Sequence, residues 1–172
     1  MVTYQAPMRK DKQSQRTHSQ SQTTNFASDK ASVATILEQK GSDVFSISPS
    51  DTLHRAVELL RDRRIGALVV TDEAGTLVGI LSERDIVRKL AETPGQTLPQ
   101  LVNDVMTKEV KTCEPADKLV TVLTTMTEGR FRHLPVVEGG KLVGLVTIGD
   151  VVQFRLTEAE HEALQLKQLI VG

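Results

Sequence analysis

The chain has 172 residues, 39% hydrophobic and 25% charged, with a formal net charge of −1; that suits one or two small globular domains and leaves no bulk field to draw in nucleic acid or an anionic membrane. No apolar run approaches the roughly 18 residues that span a bilayer, and the N-terminus lacks the apolar centre of a secretory signal. The single cysteine, Cys113, excludes an intrachain disulfide and suits a reducing compartment, and with no Trp and one Tyr there is no platform for stacking single-stranded bases.

Residues 1–30 are rich in Gln, Ser, Thr and basic side chains and poor in large apolar ones. Such a segment buries too little surface to offset its ordering entropy, so a disordered polar tail is expected. Its basic, Ser-rich, acid-poor composition leaves a mitochondrial matrix address as the alternative to a cytoplasmic one. A short helix is expected over 31–40.

From there the sequence repeats itself. "VFSISPSDTL" (44–53) aligns with "VKTCEPADKL" (110–119) at an offset of 66, and "RIGALVV" (64–70) with "RFRHLPV" (130–136) at the same offset. One residue drops out in a turn, after which "GTLVGILSERDIV" (75–87) aligns with "GKLVGLVTIGDVV" (140–152) at 65. One copy alone would leave an apolar face bare, so a pseudosymmetric pair is expected. Each copy opens on a short strand, 44–48 and 110–113. A helix follows, with Leu53, Ala56, Val57 and Leu60 in the first copy and Leu119, Val122, Leu123 and Met126 in the second. Both sets fall at i, i+3, i+4 and i+7, the apolar stripe of an amphipathic helix. Two apolar strands around a Gly-containing turn come next, 67–71 with 77–81 and 134–137 with 142–146, a hairpin signal. A second helix closes each copy, 83–91 and 148–156.

The linker "AETPGQTLP" (91–99) separates the copies, and a short helix over about 97–106 leads the second one. The boundaries are thus a tail 1–30, repeats 31–95 and 96–156, and a last helix in 157–172. That helix sets Ala159, Ala163, Leu166 and Ile170 on one side, to pack on its own domain or on a dimer mate.

"GILSERD" (79–85) and "GLVTIGD" (144–150) both read Gly, apolar residues, Ser or Thr, two variable positions, Asp. With "RFRHLPVV" (130–137) they resemble the signature of the cystathionine-β-synthase (CBS) domain, over about 31–156. The resemblance implies an α/β fold: two pseudosymmetric β-α-β-β-α CBS repeats packed as a Bateman module, of the stand-alone bacterial or plant organellar type. It also implies adenine-nucleotide ligands (AMP, ATP or NAD) in two clefts between the repeats, regulation of an as yet unknown partner protein, and a homodimer formed through the helices that carry "VELL" (57–60) and "VLTTM" (122–126).

Read from the residues alone, Ser82 with Asp85 and Thr147 with Asp150 fit a helix capping box. The same geometry can serve a ligand. A helix N-terminus suits phosphate, a hydroxyl adds a donor, and a carboxylate accepts from both ribose hydroxyls. The resemblance crosses the clefts. Cleft A would join Ser82, Arg84 and Asp85 to Thr112, Arg130, Arg132 and His133. Cleft B would join Thr147 and Asp150 to Ser46, Arg64, Ile65, Gly66 and Ala67. Because Arg132 and His133 stand where the first repeat has Gly66 and Ala67, cleft A is expected to be the stronger phosphate site. For Arg130 a C-terminal helix cap is the plain alternative. Cys113 matches the apolar Ile47 and is expected to be buried.

No nucleophile with a base, no Cys/His set of zinc spacing and no phosphate-loop or dinucleotide-binding glycine motif is present. A non-enzymatic nucleotide-binding module is the expectation. The alternative is an assembly module with vestigial clefts.

Overall fold

A computed structural model describes residues 31–171; the tail expected over 1–30 lies outside them. The elements are α1 (Val33–Lys40), β1 (Ser46–Ile47), α2 (Leu53–Arg63), β2 (Ala67–Thr71), β3 (Leu77–Ser82), α3 (Glu83–Glu92), α4 (Val102–Val105), α5 (Leu119–Gly129), β4 (His133–Glu138), β5 (Lys141–Thr147) and α6 (Ile148–Val171).

The apolar stripes do what their spacing implies. Leu53, Ala56 and Leu60 of α2 are buried in one core, and Leu119, Val122 and Met126 of α5 in a second. Val57 and Leu123 lie at the margins: Val57 is 36% exposed and Leu123 partly buried. Thr52 caps α2 by accepting from the Arg55 amide at 3.3 Å. The β2–β3 and β4–β5 hairpins are antiparallel, with Ala67 opposite Ser82 and His133 opposite Thr147. Gly139 and Gly140 both have positive φ, 56° and 78°, which a two-residue hairpin turn requires.

The opening strands are shorter than the sequence suggests. In the first repeat only Ser46 and Ile47 pair with β2, in parallel. In the second, the strand expected over 110–113 is reduced to a bridge between Cys113 and Val136. The cause is one residue. In the first repeat the Val69 amide donates to the Phe45 carbonyl at 3.1 Å. Val69 aligns with Pro135, which has no amide to donate, so the ladder stops.

The helix expected over 97–106 is likewise only α4. Residues 98–101 are otherwise engaged: the Leu98 and Gln100 carbonyls accept from the His54 and Leu53 amides at 3.0 and 2.8 Å. The helices expected over 148–156 and 157–170 are one continuous α6, since after Gly149 in its first turn no Gly or Pro interrupts it.

The leading helices pack crosswise. Val33 and Ile36 of α1 enter the core of the second repeat, while Val102 of α4 and the following Met106 enter the core of the first. The backbone bonds repeat the crossing. The Val33 amide donates to the Asp117 carbonyl at 2.9 Å, and the Val102 amide to the Asp51 carbonyl at 2.8 Å. This explains the glycine that opens each signature. A Cβ at Gly144 would stand 2.8 Å from the Leu37 side chain, and one at Gly79 would collide with Met106. The crossing helices press their side chains where a strand residue would need a Cβ.

Candidate functional site

Both hairpins run straight into a helix, and both junctions are capping boxes. Asp85 Oδ2 accepts from the Ser82 amide at 2.9 Å and from its hydroxyl at 2.5 Å. Asp150 Oδ2 accepts from the Thr147 amide at 2.8 Å, and the Asp150 amide donates to Thr147 Oγ1 at 3.1 Å. The next amides, of Glu83 and Ile148, donate to the Gly66 and Arg132 carbonyls at 3.0 and 2.9 Å. Each carboxylate is therefore fixed in place by its own helix end.

Cleft A is a cavity of about 710 Å³. Ser82, Arg84 and Asp85 of the first repeat line it together with Arg130, Arg132 and His133 of the second, so six of the seven expected residues meet there. Arg84 crosses the gap to donate from Nη1 to the Arg130 carbonyl at 2.9 Å. Its walls also carry Glu83, Arg88, Glu109 and Lys111. Five basic side chains (Arg84, Arg88, Lys111, Arg130, Arg132) thus face three carboxylates (Glu83, Asp85, Glu109). The balance favours an anionic ligand.

Arg130 and Arg64 end α5 and α2 in the left-handed region, with φ of 55° and 53°. A residue with a Cβ pays for that conformation, and glycine is the usual occupant. Both positions lie on a cleft wall: Arg130 on A, Arg64 on B. Strain held at such a place points toward a role for the side chain.

Cleft B is smaller, about 400 Å³, and Arg64, Ile65, Gly66, Ala67 and Thr147 line it. Asp150 does not line it, because α1 reaches across from the far side of the sequence. Lys40 Nζ lies 2.7 Å from Asp150 Oδ2. Burial pushes the Asp150 carboxyl up, but the Lys40 ammonium and the Thr147 amide and hydroxyl outweigh it and hold it below the usual carboxylate range.

His133, Gly66 and Thr147 border both cavities. Burial holds the His133 imidazole below its ordinary value, against the pull of Glu83 and Asp150. Cys113 is buried, and desolvation pushes its thiol up to about 12, so it packs as a small apolar residue. Among the described residues no three His, Cys, Asp or Glu side chains gather as a metal set, and no helix is long and apolar enough to cross a membrane.

Ser46 and Thr112, expected on the walls, are exposed and line neither cleft. Their preceding residues, the aligned pair Phe45 and Lys111, do. The expected contacts are from backbone at strand starts near Ser46 and Thr112, and the residues that line the clefts stand one position earlier. Lys40 and Asp43 of cleft B were also missed. No local pattern announces them, because the crossing of α1 brings them there.

The family model for the CBS domain matches residues 40–92 and 102–157. A mitochondrial CBS domain-containing protein of Arabidopsis thaliana, CBSX3, is 36% identical over 126 residues, covering 71% of this chain and 61% of that relative's own length. A CBS-domain protein of Agrobacterium tumefaciens aligns with a TM-score of 0.72 at 41% identity, over 73% of this chain and 99% of the other. Two further structures hold ligands. The CBS domain pair of protein MJ0100, in complex with 5′-methylthioadenosine and S-adenosyl-L-methionine, aligns at TM-score 0.66 and 26% identity over 74% and 98% of the two chains. CBSX2 in complex with AMP aligns at TM-score 0.64 and 27% identity over 73% and 97%.

Proposed function

The chain belongs to the CBS-domain family as a tandem pair of repeats, and from that premise we propose that it is a non-catalytic regulatory module. It binds an adenine nucleotide of the AMP, ATP or NAD class between its repeats and modulates a partner protein according to occupancy. The observation that carries this reading is the wall of cleft A. Asp85, fixed at a helix start of one repeat, faces Arg130, Arg132 and His133 of the other across a cavity of about 710 Å³. Asp85 Oδ2 is taken by Ser82, so Oδ1 is the oxygen we assign to the ribose hydroxyls, with the arginines on phosphate. The adenosyl ligands of the two related structures support that class.

Both repeats, 31–95 and 96–156, form the working unit, since each leading helix packs on the other repeat. We assign a compartment that keeps Cys113 reduced: the cytoplasm, with the mitochondrial matrix as the alternative, which the mitochondrial CBSX3 relative supports.

A thermal-shift panel of adenine nucleotides, with guanine nucleotides as controls, tests the reading. A ligand at about 100 times its Kd stabilises by roughly 2.7 kcal/mol. For a domain of this size that raises the Tm by about 5–10 °C. If no adenine nucleotide at millimolar concentration moves the Tm, the sensor reading fails and the assembly reading, with vestigial clefts, takes its place.

A further inference from the structure

The far half of α6 is bare. Every residue from Ala159 to Ile170 is exposed, and Leu156, Leu164, Leu166, Leu169 and Ile170 are between 55% and 83% so. That is a large apolar surface to leave in water on one helix. By contrast α2 and α5, the helices first expected to carry a dimer, bury Leu60, Val122 and Met126 in their own cores and leave Val57 and Val120 outside.

Part of the bare surface has a period, with Leu169 beside it and Leu164 off it. Val152, Leu156, Ala159, Ala163, Leu166 and Ile170 are spaced by alternating steps of four and three, the seam of a two-stranded coiled coil. The seam is about 27 Å long at 1.5 Å per residue. Four charged residues flank it: Arg155 and Glu162 on one side, Glu160 and Lys167 on the other. In a parallel pair each residue of the first side faces the residue five further on in the partner. Glu162 then meets Lys167, twice by symmetry, and Arg155, which already pairs with Glu158 of its own helix at 3.3 Å, stands opposite Glu160. An antiparallel pair centred on the alanine layers would instead set Glu160 against Glu160 and Glu162 against Glu162. We infer that the partner of this surface is a second copy of the chain, and that the two α6 helices pair in parallel along the Val152–Ile170 seam. The two alanine layers let the helix axes approach closely, and the flanking charges choose the orientation.

The test uses the full chain carrying Ile170→Cys. Parallel pairing places the two thiols across the seam within disulfide reach, so copper-phenanthroline in air should convert it to a covalent dimer. Gln165→Cys, on the opposite side of the helix, should stay monomeric under the same treatment. Cys113, buried, takes no part. In the Ile170→Cys background, Glu162→Lys alone and Lys167→Glu alone should each cross-link on the order of tenfold more slowly, from like charges across the seam. Mixing the two should restore the rate, because both new pairs are then opposite in sign. No cross-link at 170, equal cross-linking at 165 and 170, or single variants as fast as their mixture would each overturn the inference.

Discussion

Gly66 and His133 touch across the junction of the two repeats: a Cβ on Gly66 would stand 3.2 Å from His133 Nε2 and 3.3 Å from Cε1. The two residues border both cavities, so the contact couples their shapes. Gly66→Ala would push the imidazole a few tenths of an ångström into one cleft or the other. Overpacking of that kind costs roughly 1 kcal/mol, or about 2–4 °C in Tm. In a His133→Ala background the same change should cost nothing. Melting curves of the three variants check this, and an equal drop in both backgrounds would place the cost elsewhere.

His133 also gives the fold a pH dependence of definite sign. Burial lowers its pKa in the folded state, so the unfolded chain takes up the proton first. The stabilisation from neutral His133 is complete above the unfolded value, about 6.5. It is lost as pH falls through that value toward the lower folded one. Urea melts at about pH 7.5 and pH 5.5 should show the parent losing stability on acidification and His133→Gln losing less. The same loss in both proteins would refute the assignment.

How much of this was readable in the sequence follows the range of the interactions involved. The two repeats, their amphipathic helices and hairpins, and the capping boxes at Ser82–Asp85 and Thr147–Asp150 are local patterns, and the sequence displays them. The strand expected over 110–113 failed because Pro135, twenty-two residues beyond Cys113, withholds an amide. Near Ser46 and Thr112 the residue that lines the cleft stands one position earlier, an offset that repeat alignment alone does not fix. Lys40 was beyond reach. Its role depends on α1 crossing to the other repeat, a tertiary choice that a charge at the end of an eight-residue helix does not announce.

The Lys40–Asp150 pair predicts how the two clefts differ. The ion pair is partly exposed, with side chains 32% and 25% accessible, so its removal should cost little, about 0–1 kcal/mol. Its effect on binding should be larger, because the Lys40 ammonium at 2.7 Å neutralises the Asp150 carboxylate and competes with a ribose for it. Lys40→Met should let cleft B take adenosine, read as a second site per chain in titration calorimetry, and Asp150→Asn should abolish that site. In the parent, Asp85→Asn should weaken AMP about 10- to 150-fold, the worth of hydrogen bonds to a charged group. Asp150→Asn should change it little. The reverse order would exchange the principal and secondary clefts. The acid behaviour follows from the lowered Asp150 pKa: the pair's contribution is present above the unfolded carboxyl value, about 3.9, and is lost as pH falls through the lower folded one.

Arg130 separates a helix-end role from a ligand role, because the two predict opposite signs. It ends α5 with φ 55° and ψ 33°, a conformation that costs a residue with a Cβ roughly 1–2 kcal/mol and glycine almost nothing. Arg130→Gly relieves that strain but adds freedom to the unfolded chain, about 0.5–1 kcal/mol. The net gain is on the order of 0.5–1 kcal/mol, and the Tm should rise by a few degrees. The Arg84 bond survives, since it ends on the Arg130 carbonyl and not on its side chain. If the guanidinium were kept only to complement the helix dipole, the variant would bind nucleotide as the parent does. If it grips phosphate, AMP should weaken by roughly tenfold or more, the loss of a charge-assisted bond, while adenosine changes little. Arg132→Ala should show the same split between AMP and adenosine without the gain in Tm, because Arg132 is not among the residues with positive φ. Calorimetry with AMP and adenosine, run beside melting curves, reads all of these together. A more stable Arg130→Gly with undiminished AMP affinity would reduce Arg130 to a helix cap and move the phosphate to the Arg84 and Arg132 side of the cleft.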